Sequence, residues 1–169
     1  MSKRRAEQLE LRSRLPVVVG NAEYRQNEAR FVRLDELLRQ SGLEETYMAK
    51  GVEQWRQRGR AAAQKAGKAF QEPSVKATGR YERMCRQALR CNLARQLTEK
   101  AYRTFSLRLA EGALLQWFCG VDRLEQIRVP TKSTLERYDK LLPESEVRDL
   151  VDRLNREAVE GAERWPGEE

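Results

Sequence analysis

Histidine is absent from the 169 residues, and cysteine occurs three times, as Cys85, Cys91 and Cys119, with no C-x-x-C spacing among them. Those two shortages remove Cys/His metal sites and histidine-assisted nucleophiles from consideration, so no metal, cofactor or catalytic residue is expected. A G-x-S-x-G turn and a phosphate-cradling glycine loop are missing as well. Three cysteines in apolar neighbourhoods read as buried, reduced thiols of a cytoplasmic protein. No apolar run approaches the roughly 18 residues a membrane-spanning helix requires, and no membrane partner is expected. The opening MSKRRAEQLELRSR is basic but has no apolar segment behind it, and does not read as a signal peptide. Strand-forming sequence is nearly lacking too. Only RLPVVVG, bracketed by Pro16 and Gly20, is β-prone, and without a second strand it reads as an extended arm packed on helices.

What the chain does have is charge and helical periodicity. Charged residues make up 35% and aromatics 7%, which points to a modest core beneath much solvated surface. The net charge of +7 is unevenly placed: residues 51 to 100 hold 12 basic and 4 acidic side chains, whereas residues 131 to 169 hold 7 and 11. A cationic middle favours polyanionic partners.

The apolar spacing predicts an all-α chain. Tyr24, Phe31, Leu34, Leu37 and Leu38 share one helical face up to Ser41, and Met48, Val52 and Trp55 define a second helix from about Glu44. Together they predict an amphipathic hairpin, with a dimerisation surface as one use for it. Residues 56 to 80 are rich in Ala, Gly, Lys and Arg. Gly59, Gly67 and Pro73 predict a frayed helix giving way to a basic linker. Tyr81, Met84, Cys85, Ala88, Leu89, Leu93 and Leu97 mark the next helix, with Arg83, Arg86, Arg90 and Arg95 around it. Thr98 is expected to open the turn into a further helix bearing Tyr102, Phe105 and Leu109. Beyond Pro143, the residues Val147, Leu150, Val151, Leu154 and Ala158 predict a last amphipathic helix ending at Gly161. The organisation expected is an arm (1–20), a hairpin with its linker (21–79), a helical domain (80–161) and a frayed tail (162–169).

The most sharply punctuated stretch runs from Ser106 to Leu142. Ala113, Leu114, Leu115, Trp117, Phe118 and Cys119 are apolar nearly all round a short helix, which predicts its burial, and Gly120 suits a left-handed stop. After Val129-Pro130, Ser133 and Glu136 have the spacing of a capping box. Leu135, Tyr138, Leu141 and Leu142 then form an inward stripe, leaving Lys132, Arg137 and Lys140 outside.

LRLAEGALLQWFCGV followed by VPTKSTLERYDKLLP resembles the N-terminal domain of DDE-class insertion-sequence transposases over roughly residues 80 to 145. In that family a WF-x-G helix precedes a P-D-H-S-T-L-x-R-F segment. Trp117, Phe118, Gly120, Pro130, Ser133, Thr134, Leu135 and Arg137 match, Tyr138 stands for the Phe, and Thr131 and Lys132 replace Asp-His. The resemblance implies a helical bundle of helix-turn-helix type that binds double-stranded DNA at terminal inverted repeats. Such a transposase cuts DNA with three metal-holding carboxylates on a sheet-containing domain, and this sequence has no run of strands to frame them. Asp122, Asp139, Asp149 and Asp152 read as ordinary charges.

The expectation is therefore a non-catalytic DNA-binding portion of a transposase. Lys132, Ser133, Thr134 and Arg137 are its candidate groove or phosphate contacts, with Lys140 at the edge. Arg103 and Arg108 on the preceding helix are the competing choice. The alternative is a helical interaction module that pairs with itself or with a full-length transposase through residues 21 to 58.

Overall fold

Capping residues set most helix boundaries. In the computed structural model, which describes Leu15, residues 18–122 and 126–141, and Ser145, Arg148, Asp149, Asp152, Arg153 and Arg156, α1 (Ala22–Ser41) starts at Asn21. The Asn21 side chain accepts the Tyr24 N–H at 2.8 Å. Gly42, at φ +68°, both ends α1 and opens α2 (Leu43–Lys65), a turn that other residues enter only at a cost. Ser74 caps α3 (Val75–Thr98) by accepting the Ala77 N–H at 3.1 Å. One residue, Gly112, separates α4 (Tyr102–Glu111) from α5 (Ala113–Cys119), and Gly120 ends α5 at φ +69°. Thr131 caps α6 (Lys132–Asp139).

The fold is an all-α bundle, and no strand occurs among the described residues. The expected arm is described only at Leu15, which packs on the core, and at residues 18–20, where Val19 is exposed. Pro16, the apolar positions expected for the last helix (Val147, Leu150, Val151, Leu154, Ala158), Gly161 and the tail 162–169 lie outside the described residues.

Side chains from these six helices of the described residues form one apolar cluster. Phe31 and Leu38 of α1, Met48 of α2, Leu89 and Leu93 of α3, Phe105 and Leu109 of α4, Phe118 of α5 and Leu135 of α6 belong to it. The Phe31 ring meets the Phe118 ring edge-on, 5.0 Å between centroids. α1 and the first turns of α2 thus share their core with α3, α4, α5 and α6.

Three expectations need correction here. The first is the frayed region, because α2 continues through Gly59 to Lys65, and α3 begins at Val75, not near Arg80. Gly59 makes room where a weakened helix was expected: a Cβ there would lie 2.8 Å from the Phe70 ring. Phe70 lies against α2, with the Arg60 guanidinium 5.4 Å over its centroid. Residues 66–74 therefore fold back as an ordered turn, and Glu72 ties them to Arg56 and Arg60 at 3.3 and 3.6 Å. Thr98, moreover, closes α3 and does not start the next turn, with Glu99 after it at φ +52°.

The second correction concerns α5. Leu114, Phe118 and Cys119 are buried, but Trp117 and Leu115 only pack against the core's edge and Ala113 is exposed. Phe118 is the anchor.

The third is Arg90, placed outside by the sequence pattern but 2% exposed. Its Nε donates to Glu44 at 2.6 Å, and its Nη1 donates to Asp35 at 2.6 Å and to the Phe118 carbonyl at 3.0 Å. Arg39 reaches Asp35 at 2.5 Å and Arg86 reaches Glu44 at 3.6 Å from the rim. Burial acts to lower the Arg90 pKa, but the hydrogen bonds and charges of Glu44 and Asp35 outweigh it and raise the value. One cation thereby joins α1, α2, α3 and α5.

All three cysteines are free and buried. Burial pushes the Cys85 thiol up to about 11, and burial together with the Cys91 contact raises Cys119 well above its ordinary value. Among the described residues, no helix is long and apolar enough to cross a membrane.

Candidate nucleic-acid interface

The helix expected to meet DNA is short and two-faced. Leu135 and Tyr138 are buried, while Lys132, Ser133, Arg137 and Lys140 are exposed. Its cap is Thr131, two residues earlier than the Ser133 capping box predicts. The Thr131 hydroxyl accepts the Thr134 N–H at 3.4 Å, and the Thr131 carbonyl takes the Leu135 N–H at 2.9 Å. An earlier start seats both Leu135 and Tyr138 on the core. Ser133 is thereby released from capping and stands in the first turn, facing out.

α3 and α4 hold this helix in place. Gln87 of α3 donates to the Tyr138 hydroxyl at 3.1 Å, and Asn92 donates to the Tyr138 carbonyl at 3.3 Å. Ser106 of α4 donates to the buried Pro130 carbonyl at 2.7 Å, fixing the approach to α6. Burial pushes the Tyr138 phenol up to about 12. Arg95 pairs with Asp139 at 3.0 Å and lies 4.4 Å over the Tyr102 ring, while Tyr102 donates to the same carboxylate. The hydrogen bond to Asp139, then burial, raises the Tyr102 pKa.

These contacts dispose of the acidic side chains on α6. Asp139 is occupied by Arg95 and Tyr102, and Glu136 by Lys132 at 3.3 Å. The Arg137 guanidinium donates to the Thr134 hydroxyl at 3.2 Å, and among the described residues neither Arg137 nor Lys140 meets a carboxylate. Lys140 is the last cap of α6.

Arg103 and Arg108, the competing pair, are exposed on α4, which packs directly on α6. Leu107 lies between them, 58% exposed. The two candidate groups thus occupy neighbouring helices of one unit. The connection from Gly120 to Thr131 is longer than the three- or four-residue turn of ordinary helix-turn-helix motifs. Sequence reasoning did not find the roles of Arg95 and Tyr102, since each looks like any half-exposed helical residue until Asp139 is brought beside it.

Neither the comparison with protein-family models nor those with curated proteins and solved structures give a match for this chain.

Proposed function

We propose that this chain is a non-catalytic, duplex-DNA-binding portion of an insertion-sequence transposase, acting on DNA in the cytoplasm and recognising terminal inverted repeats through α6. The observation that carries this reading is the division of labour within the transposase-like motif. Phe118, Pro130, Leu135 and Tyr138 are buried and Gly120 makes the left-handed turn, so all five have structural reasons to be what they are. Ser133 and Arg137 are instead exposed on the far side of α6 beside Lys132 and Lys140, and Arg137 reaches only the Thr134 hydroxyl of its own helix among the described residues. A short amphipathic helix with polar and cationic side chains outward is what major-groove reading requires, with neighbouring cations such as Arg103 and Arg108 on phosphates.

A gel shift tests it. The inverted repeats flanking the reading frame should bind more tightly than a scrambled duplex of equal length, and Arg137→Ala should lose about 1–3 kcal/mol of that preference. Equal affinity of the parent for both duplexes contradicts the proposal. The other reading, pairing with a full-length transposase through residues 21 to 58, has less behind it. Phe31, Leu34, Leu38, Tyr47 and Met48, the apolar side chains such pairing would use, are already inside this chain's own core.

A further inference from the structure

α3 supports α6 and then continues well past it. Gln87, whose side-chain amide holds the Tyr138 hydroxyl, marks the side of α3 on which α6 sits. Residues four, seven and eleven positions earlier lie on that same side of a helix, and they are Arg83, Arg80 and Lys76. All three are exposed. At a rise of about 1.5 Å per residue, the row extends roughly 16 Å from the α6 contact.

The acidic residues of this part of the chain are placed elsewhere. Glu53 pairs with Arg60 and Glu72 pairs with Arg56 and Arg60, while the exposed Glu82 falls round the helix from the row, toward the side where Cys85 faces α2. Among the described residues no carboxylate meets Lys76, Arg80 or Arg83. The row is also rigidly mounted, since Trp55 stacks on Tyr81 with centroids 4.4 Å apart and Arg58 donates to the Tyr81 hydroxyl at 2.9 Å. Three uncompensated cations on a fixed helix, in line with the proposed reading helix, match the regular negative charge of a duplex backbone.

We infer that Lys76, Arg80 and Arg83 form a second, sequence-independent contact that grips duplex phosphates on the same side of the molecule as α6. The inference rests on the reading of the chain as a duplex binder and adds how affinity is divided: α6 supplies the sequence preference and the α3 row supplies salt-sensitive grip.

The test is fluorescence anisotropy on a labelled random-sequence duplex across a salt series, comparing the parent with K76Q/R80Q/R83Q. The triple variant should show a log–log salt slope shallower by about two to three units, about 0.9 for each lost phosphate contact. It should keep its melting midpoint and its relative preference among duplexes. If its midpoint falls, the three single replacements replace it, each expected to remove about one unit. An unchanged slope overturns the inference while leaving the α6 reading intact. A reduced slope in a protein whose parent shows no preference for element ends sustains the inference and sinks the α6 reading. Tighter binding of single-stranded RNA than of duplex by the parent overturns the choice of partner.

Discussion

The two ends of the α2–α3 pair use arginine in opposite ways. At the core end Arg90 is sealed between Glu44 and Asp35, whereas along the outer part Lys76, Arg80 and Arg83 stand in solvent and, among the described residues, meet no carboxylate. The cations of both arrangements stand on α3, and composition does not tell them apart. A buried cation must be paired and hydrogen-bonded to exist at all, so its partners are fixed by the fold. An exposed cation is under no such demand and remains available to an external polyanion.

The largest expected effect comes from breaking the sealed end. Arg90→Ala leaves two buried carboxylates short of their main partner and should cost about 3–5 kcal/mol, measured by urea unfolding. Arg80→Gln at the open end should change stability by less than about 0.5 kcal/mol. Equal effects would erase the contrast.

Alkaline pH should sharpen the same distinction. The Tyr138 phenol, ordinarily near 10.0, is pushed up to about 12 by burial, so the fold favours its neutral form. The unfolded chain releases that proton first. Stability from this group is therefore complete below pH 10, and is lost as the pH rises through about 12, amounting to about 2–3 kcal/mol. Tyr138→Phe should flatten that loss in melts taken across the range, and an identical profile would contradict the buried placement.

Glycine substitution separates the two ends again. A Cβ at Gly51 would lie 2.6 Å from the buried Cys85 sulfur, so Gly51→Ala should cost about 1–2 kcal/mol in a thermal melt despite alanine's helix preference. Gly59→Ala presses instead on Phe70, a half-buried ring in the connecting turn, and should be neutral within about 0.5 kcal/mol because the ring can give way. The smallest effect is expected at Glu99, a non-glycine residue at φ +52°. Glu99→Gly should raise stability by about 0.5 kcal/mol, the relief of left-handed strain less glycine's added entropy loss.

Much of the bundle was legible from spacing. Phe31, Leu34, Leu38, Leu89, Phe105 and Leu109 fall at helical intervals and are core residues, and Gly120 stops α5 as expected. The failures share a cause, which is that they depend on a partner distant in sequence. Arg90 looked solvated because Asp35 and Glu44 lie 55 and 46 residues away. Gly59 looked like a weak point in the helix because Phe70 had not yet been brought against it. The cap of α6 was expected at Ser133 and falls at Thr131. The earlier start goes with Ser106 fixing the Pro130 carbonyl and with Leu135 taking a place in the core. At the candidate site, the exposure of Lys132, Arg137 and Lys140 was readable from periodicity, while the neutralisation of Asp139 by Arg95 and Tyr102 was not.

The central claim is that the outward face of α6 meets duplex DNA while the Arg90 cluster serves only the fold. Amide hydrogen exchange, recorded with and without the terminal-repeat duplex, tests this most directly. Slowed exchange concentrated in peptides spanning residues 131–141, with peptides around Asp35 and Glu44 already slow and unchanged, is the predicted result. Protection confined to α1, or none anywhere under conditions where the duplex is bound, would contradict it.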